Sequence, residues 1–305
     1  MTSPETSPRQ AALHVRHETR YEHGAQVVLA HHLAHLRPRE TSRQTVTDWQ
    51  LQIDPWPDGA ERACDAGIDV FGNWRHAFSH ARVHERLAVV STFDARVSAP
   101  DDPGPGLPWE DVAGRLRYRA GAVMPEACEF ALGSPFAPRS AEFAQFAGDL
   151  FAPRRPLLEA ATALMHRIHD EFEYRVDITD VGTDALRALQ LKRGVCQDFA
   201  HVMIAALRSL GLAARYVSGY LLTQPPPGQP RLVGGDASHA WVSVWCPGAD
   251  WVDLDPTNDV AAGCDHVTLA WGRDYGDVAP LRGVIRGGSN ARPVVSVAVT
   301  PIAEA

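Results

Sequence analysis

The stretch from Cys196 to Thr257 constrains the fold more than any other part of the chain. Phe199, Val202, Met203, Ala206 and Leu210 recur at helical spacing, which predicts a helix from about Cys196 to Ser209. Gly211 is a natural stop for it. Three strand candidates come next: AARYVSGYLLT, HAWVSVWC and WVDLDPT. The last two are spaced to pair as an antiparallel hairpin through CPGAD. The expectation is a helix packed on an antiparallel sheet, with a cysteine at the helix start, a histidine opening one strand and an aspartate ending the next.

The rest of the chain divides around this unit. Residues 13–100 read mostly as strands: LHVRHETRYEH, TVTDWQLQIDP and RLAVVSTFDARV mix β-branched and aromatic residues with rough alternation. Phe71-Gly72-Asn73 stands between two apolar stretches as a hairpin signal. Residues 100–108 (PDDPGPGLP) form a breaker-rich linker. A helix is expected after Ser140. A stronger one is expected from Pro156, with Leu157, Ala161, Leu164, Met165, Ile168 and Phe172 on one face. A short helix follows Thr183, a fair N-cap residue, and stops at Gly194. VVSVAVT (294–300) alternates again as a closing strand. The expected class is α+β: an N-terminal antiparallel β-sandwich domain (1–105), a linker with connecting helices (106–155), an α+β core (156–280) and a tail strand (281–305).

A chain of 305 residues can hold two domains and a large core. Its formal charge of −8 argues against a duplex nucleic-acid partner, which favours a basic face. The opening MTSPETSPRQAALHVRHETRYE has no apolar h-region, so no secretory signal is expected. No run approaches the roughly 18 apolar residues of a membrane helix. No membrane partner is expected, and the cytosol is the expected location. The five cysteines are odd in number, far apart and without a C-x-x-C pair, so neither a disulfide framework nor a zinc site is suggested. His76, His80 and His84 repeat every four residues. They lie where the pattern reads as strand and turn, so no helical metal face is expected. His31, His32 and His35 are expected at the surface. No cofactor or metal is expected.

Cys196, His239 and Asp255 carry the candidate chemistry. A cysteine nucleophile must ionise, and free N–H groups and the dipole at a helix start favour a thiolate. Lys192 and Arg193 just upstream add positive charge. The same N–H groups suit the oxyanion of a tetrahedral intermediate. His239 would be the base and Asp255 its orienting carboxylate. Each residue alone is commonplace: a structural cysteine, a packed histidine, an Asp-Pro turn. Their conjunction in this order is not. Geometry adds a condition. Both His239 and Asp255 are odd-numbered, so they share a sheet face only if paired residues sum to an even number. The turn around Pro247-Gly248 must then hold an odd number of unpaired residues, or a bulge must reset the register. Trp241 and Ser243 would share the His239 face. Trp241 either shields the site or is plain core, and Asp198 favours the helix N-terminus.

GVCQDFAH (194–201), DASHAWVSVW (236–245) and WVDLDPTN (251–258) resemble the three core motifs of bacterial transglutaminase-like proteins. HVTLAWGRDYGDVAP (266–280) resembles the segment that follows that core. The N-terminal region resembles the β domain that precedes it. The resemblance implies a papain-like core with the triad Cys196, His239 and Asp255. It also implies acyl transfer: a thiolate attacks a peptide or protein amide, an amine leaves and a thioester forms. Papain-like peptidases further place an oxyanion-hole glutamine at an offset like that of Gln190, although a solvated helix residue is the ordinary reading there. No EF-hand loop or other dense acidic calcium site is present in the sequence, and a metal-independent peptidase or isopeptidase is the leading expectation. Transamidation with the same triad is the first alternative, distinguished by stable incorporation of a labelled amine. A β domain acting as a protein-binding module over a non-catalytic core is the second, distinguished by an unreactive Cys196.

Overall fold

The computed structural model describes residues 10–58, 65–104, 106–176, 182, 184–223, 238–289 and 291–302. The N-terminal part holds β1 (Gln10–Ala34), β2 (Gln44–Asp54), β3 (Asp65–Ile68), β4 (Trp74–His80) and β5 (His84–Ser98). The connecting region carries α1 (Trp109–Leu116), a 3-10 turn over Glu126–Ala131, α2 (Ala141–Gly148) and α3 (Leu157–Glu171). The core continues with β6 (Glu173–Tyr174), α4 (Ala185–Leu191), β7 (Arg193–Gly194), α5 (Cys196–Ser209), β8 (Ala214–Leu221), β9 (Ser238–Cys246), β10 (Asp250–Asp255), β11 (Val260–Ala261), β12 (His266–Gly272) and α6 (Tyr275–Val278). The described chain ends in β13 (Leu281–Gly287) and β14 (Val294–Pro301). Among the described residues no helix is long and apolar enough to cross a membrane.

The α+β class holds: an antiparallel N-terminal sheet domain precedes a core in which α5, the helix that starts at Cys196, packs on an antiparallel sheet of order β11-β10-β9-β8-β12. Every residue of α5 from Asp198 to Arg208 is buried. The apolar stripe read from the sequence is therefore only part of its contact surface. Arg208 is fully buried and donates to the carbonyls of Phe130, Ala214 and Arg273 and to Ser134 Oγ at 2.7–2.9 Å. Those bonds tie the connecting region to the core.

The N-terminal strands form one seven-stranded sheet around β1, which is 25 residues long. Its first half lies between β5 and β14, its second half between β4 and β13. A register shift between Glu22 and Val27, around Gly24 at φ +40°, turns one half into the other. The tail is therefore two strands rather than one. Both return to the N-terminal sheet, covering an edge of β1 that would otherwise leave its N–H and C=O groups unpaired. The hairpin at Phe71-Gly72-Asn73 forms between β3 and β4, with Gly72 at φ +77°.

Two side-chain amides dock this sheet on the core. Gln44 accepts from the N–H of Thr268 at 2.8 Å and donates to its carbonyl at 2.7 Å. Asn73 does the same to Trp271, at 3.0 and 2.8 Å. They stand in for a neighbouring strand along the outer edge of β12.

Three local expectations are revised. Thr183 lies outside the described residues, and the cap of α4 is Asp184, which accepts from the Arg187 N–H at 2.8 Å. His32 is buried while His31 is exposed, because alternate residues of β1 face inward; His35, just past the end of β1, is buried against the Ala279 carbonyl and Asp69. His76, His80 and His84 are buried strand residues.

Burial of neutral histidines makes the fold acid-sensitive. Burial pushes His17, His32 and His76 down to about 4 and His201 down to about 3. In the unfolded chain these groups protonate near 6.5. Between pH 6.5 and about 4 the unfolded chain thus binds more protons, and stability falls as pH falls. Thermal melts should show Tm dropping across that window. A flat Tm would contradict the neutral burial of these rings.

Candidate active site

The chain approaches Cys196 along a constrained path. Lys192 ends α4 in the left-handed region at φ +49°, and β7 pairs with β6 in a short parallel ladder. Asp198, in the first turn of α5, is buried and accepts from the Val195 N–H at 2.8 Å. This is a specific hydrogen bond rather than only a dipole effect. Gly194 makes room for it, since a Cβ there would stand 2.4 Å from Asp198 Oδ2. Lys192 and Arg193 do not supply unpaired positive charge. Lys192 pairs with Glu171 and Arg193 with Glu173, and both are exposed.

The β9–β10 hairpin meets the register condition. Cys246 pairs with Asp250, Trp245 with Trp251 and Val242 with Leu254, so paired numbers sum to an even value. Pro247, Gly248 and Ala249 are the three unpaired residues. Gly248 at φ +101° and Asp250 at φ +60° close the loop. The same register puts Asp255 on the His239 face. His239 Nε2 donates to Asp255 Oδ2 at 2.7 Å. The Cys196 side chain hydrogen-bonds the same imidazole, which leaves Nδ1 for the sulfur.

Asp255 has no solvent exposure, and its oxygens are extensively bonded. Oδ1 accepts from the N–H groups of Thr257 and Asn258 at 2.9 and 3.3 Å. Oδ2 accepts from Asn258 Nδ2 at 2.6 Å and from His266 Nε2 at 3.2 Å as well as from His239. His266 in turn bonds Asp265 through Nδ1 at 2.7 Å. Asn258, Asp265 and His266 were not singled out in the sequence. The signal was available, since Asn258 ends WVDLDPTN and His266 opens HVTLAWGRDYGDVAP.

The charges follow from these contacts. Burial would lower the pKa of His239, but its hydrogen bonds to Asp255 and Cys196 more than offset this and raise it to about 10. Burial would raise Asp255, yet His239, His266 and Asn258 hold it well below the usual carboxylate range. His266 is likewise raised, its burial outweighed by Asp255 and Asp265. His239, Asp255 and His266 have donor atoms within 4.8 Å of one another. A cation held by all three would take the Asp255 oxygen and the His239 nitrogen away from each other.

A cavity of about 320 Å³ opens beside Cys196 and His239, with Tyr216 and Tyr275 from the core on its wall. Gln190 is exposed on α4 and is not among the lining residues. Trp241 does not line the cavity either. It is fully buried on the His239 face, with ring centroids 6.1 Å from His239 and 5.3 Å from His266, so it supports the imidazoles from behind. Gly219 is opposite His239 in the sheet, where a Cβ would stand 2.2 Å from the Val267 carbonyl and 2.4 Å from Trp241.

A thiol at a helix start, an imidazole beside it and a buried carboxylate behind the imidazole make the arrangement of a cysteine nucleophile with base and orienting group. A family model described as the transglutaminase-like superfamily matches residues 144–256. One described as the bacterial transglutaminase-like N-terminal region matches residues 13–96. An uncharacterized protein of Mycobacterium tuberculosis is 39% identical, with 94% of this chain and 92% of that protein covered. A protein-glutamine gamma-glutamyltransferase of Pseudomonas aeruginosa is 33% identical over 113 residues, 36% of this chain and 17% of that protein. The crystal structure of a candidate cysteine protease from Cytophaga hutchinsonii superposes with a TM-score of 0.74 at 17% identity, covering 98% of this chain and 93% of that one. The chain belongs to the bacterial transglutaminase-like family.

Two outcomes are expected. The folded pKa of His239 lies above its unfolded value, so its contribution to stability is complete below pH 6.5 and is lost as pH rises through about 10. NMR should find the His239 ring still protonated at pH 8, and Asp255→Asn should bring its titration down. A ring that titrates near 6.5 in the native protein would contradict the ion pair. Gly219→Ala should cost about 1–3 kcal/mol by overpacking, readable in urea denaturation. An unchanged midpoint would contradict the close packing of Trp241.

Proposed function

We propose that the chain is a cysteine-dependent amide hydrolase, a peptidase or isopeptidase, working through a thioester on Cys196. The observation that carries this reading is the His239 ring, held by Asp255 at 2.7 Å on one side and bonded to Cys196 on the other. The sulfur attacks the carbonyl carbon of a peptide or protein amide. The first-turn N–H of Cys196 has no acceptor within its helix and suits the oxyanion that develops. The proton on His239 passes to the departing nitrogen as the C–N bond breaks, leaving a thioester. His239 then takes a proton from water as it attacks, and the carboxylic acid and the thiol are released. Asp255 keeps the ring oriented and its positive form stabilised throughout.

Transamidation is the second reading, and the similarity of the core to a protein-glutamine gamma-glutamyltransferase supports it. The two differ only in the acceptor, an amine in place of water. Peptide, isopeptide and cell-wall amides, each offered with and without a labelled amine, separate them. Release of free acid in the presence of the amine supports hydrolysis. Stable incorporation of the label supports the transferase. Cys196→Ala and His239→Ala should each abolish turnover, and Asp255→Asn should leave a small residue of activity, because nucleophile and base act as a unit. Near-normal turnover by Cys196→Ala would overturn both readings.

A further inference from the structure

The cavity beside Cys196 has walls from two parts of the chain. One is the core, with the thiol, the imidazole and Tyr216. The other is the N-terminal sheet: His17, Thr19 and Tyr21 from β1, and Pro293 and Val295 from β14. The strand pattern determines what β1 presents there. His17, Thr19 and Tyr21 face the cavity. Arg16, Glu18 and Arg20 alternate with them on the opposite face, where both arginines pair with Glu18. His17 is buried and held neutral, its ring bonded to Thr19 Oγ1 at 2.9 Å and to the Tyr220 hydroxyl at 3.1 Å. None of the 17 described residues that line the cavity is Asp, Glu, Lys or Arg. The one charged ring on the described part of the wall, His239, is already paired with Asp255, so an acyl group carrying a formal charge would find no free counter-ion among these described residues on leaving water, which is costly. The volume, about 320 Å³, is at the small end of ligand cavities and suits one side chain or short acyl stem.

We infer that the N-terminal sheet, completed by β14, is the substrate-selecting wall of the active-site cleft, and that it selects acyl donors with no formal charge near the scissile carbonyl. This inference rests on the acyl-transfer reading above. It gives the β domain a role that requires it to stay docked on the core. It also disfavours amides whose acyl portion bears a free carboxylate or ammonium within a few bonds of the reacting carbon.

The test uses the full chain and three 4-nitrophenyl esters of matched length: hexanoate, the monoester of adipic acid and 6-aminohexanoate. In each, the S–C bond to Cys196 forms, the C–O bond breaks and 4-nitrophenolate leaves with the electron pair. Nitrophenolate release gives the rate, and intact mass with peptide mapping locates the acyl group. The neutral ester should acylate Cys196 at least about tenfold faster than either charged one. Val295→Arg should raise the rate of the adipate ester relative to the hexanoate, and Val295→Glu should do the same for the 6-aminohexanoate. Val295 is 48% exposed, so both replacements are compatible with the fold. Equal acylation by all three esters, or charge ratios unmoved by both Val295 variants, would overturn the inference and leave acyl transfer standing. Failure of every ester to acylate Cys196 would overturn acyl transfer and this inference with it.

Discussion

The buried carboxylate of Asp255 is the group on which the rest of the site depends. A carboxylate with no solvent exposure must be fully hydrogen-bonded and matched by positive charge, or it would be protonated or expelled. Two backbone N–H groups, an asparagine amide and two imidazoles meet that demand. Each partner fixes a piece of structure. The N–H groups set the turn after β10, His239 sets the register of the β9–β10 hairpin, and His266 anchors the start of β12. The negative charge so held lets His239 stay protonated beside Cys196 despite its burial. Loss of one imidazole would still leave the carboxylate partnered by the other.

The N-terminal sheet depends on a different device. Its long first strand is shared by two sets of neighbours, and the last two strands of the chain come back to complete it. Gln44 and Asn73 then attach it to the core by amide pairs along β12. Arg39 and Arg215 add to the joint by covering the Trp271 ring, with guanidinium carbons 3.6 and 3.7 Å from its centroid. Such a directional joint holds one face of β1 against the cleft, which a purely apolar contact would not orient as well.

Much of this was legible in the sequence, for physical reasons. Apolar spacing marked α3 and α5, since a helix buried on one side repeats every three or four residues. The parity of His239 and Asp255 was enough to require an odd-numbered turn, because side chains on a strand alternate strictly. The order of Cys196 at a helix start and His239 and Asp255 on successive strands pointed to the site, and the family resemblance named the same three residues. What escaped was long-range. No local pattern tells that β13 and β14 join β1, nor that His32 faces inward from β1 while His35, beyond its end, docks on the Ala279 carbonyl instead of forming a surface patch. Gln190 was placed by analogy of offset, and the path from α4 to α5 leaves it facing solvent. Lys192 and Arg193 are near Cys196 in sequence, but Glu171 and Glu173 take up their charges. His266 opens HVTLAWGRDYGDVAP with nothing local to mark its role, because only the folded chain brings it to Asp255.

The central claim is that His239, held by Asp255, activates Cys196 as a nucleophile. Brief treatment with iodoacetamide near neutral pH, followed by mass spectrometry of each cysteine-containing peptide, tests it most directly. Cys196 should alkylate well ahead of Cys128, Cys246 and Cys264, and His239→Ala should remove most of that lead. Labelling of Cys196 no faster than the other cysteines, or a lead unaffected by loss of the imidazole, would contradict the account.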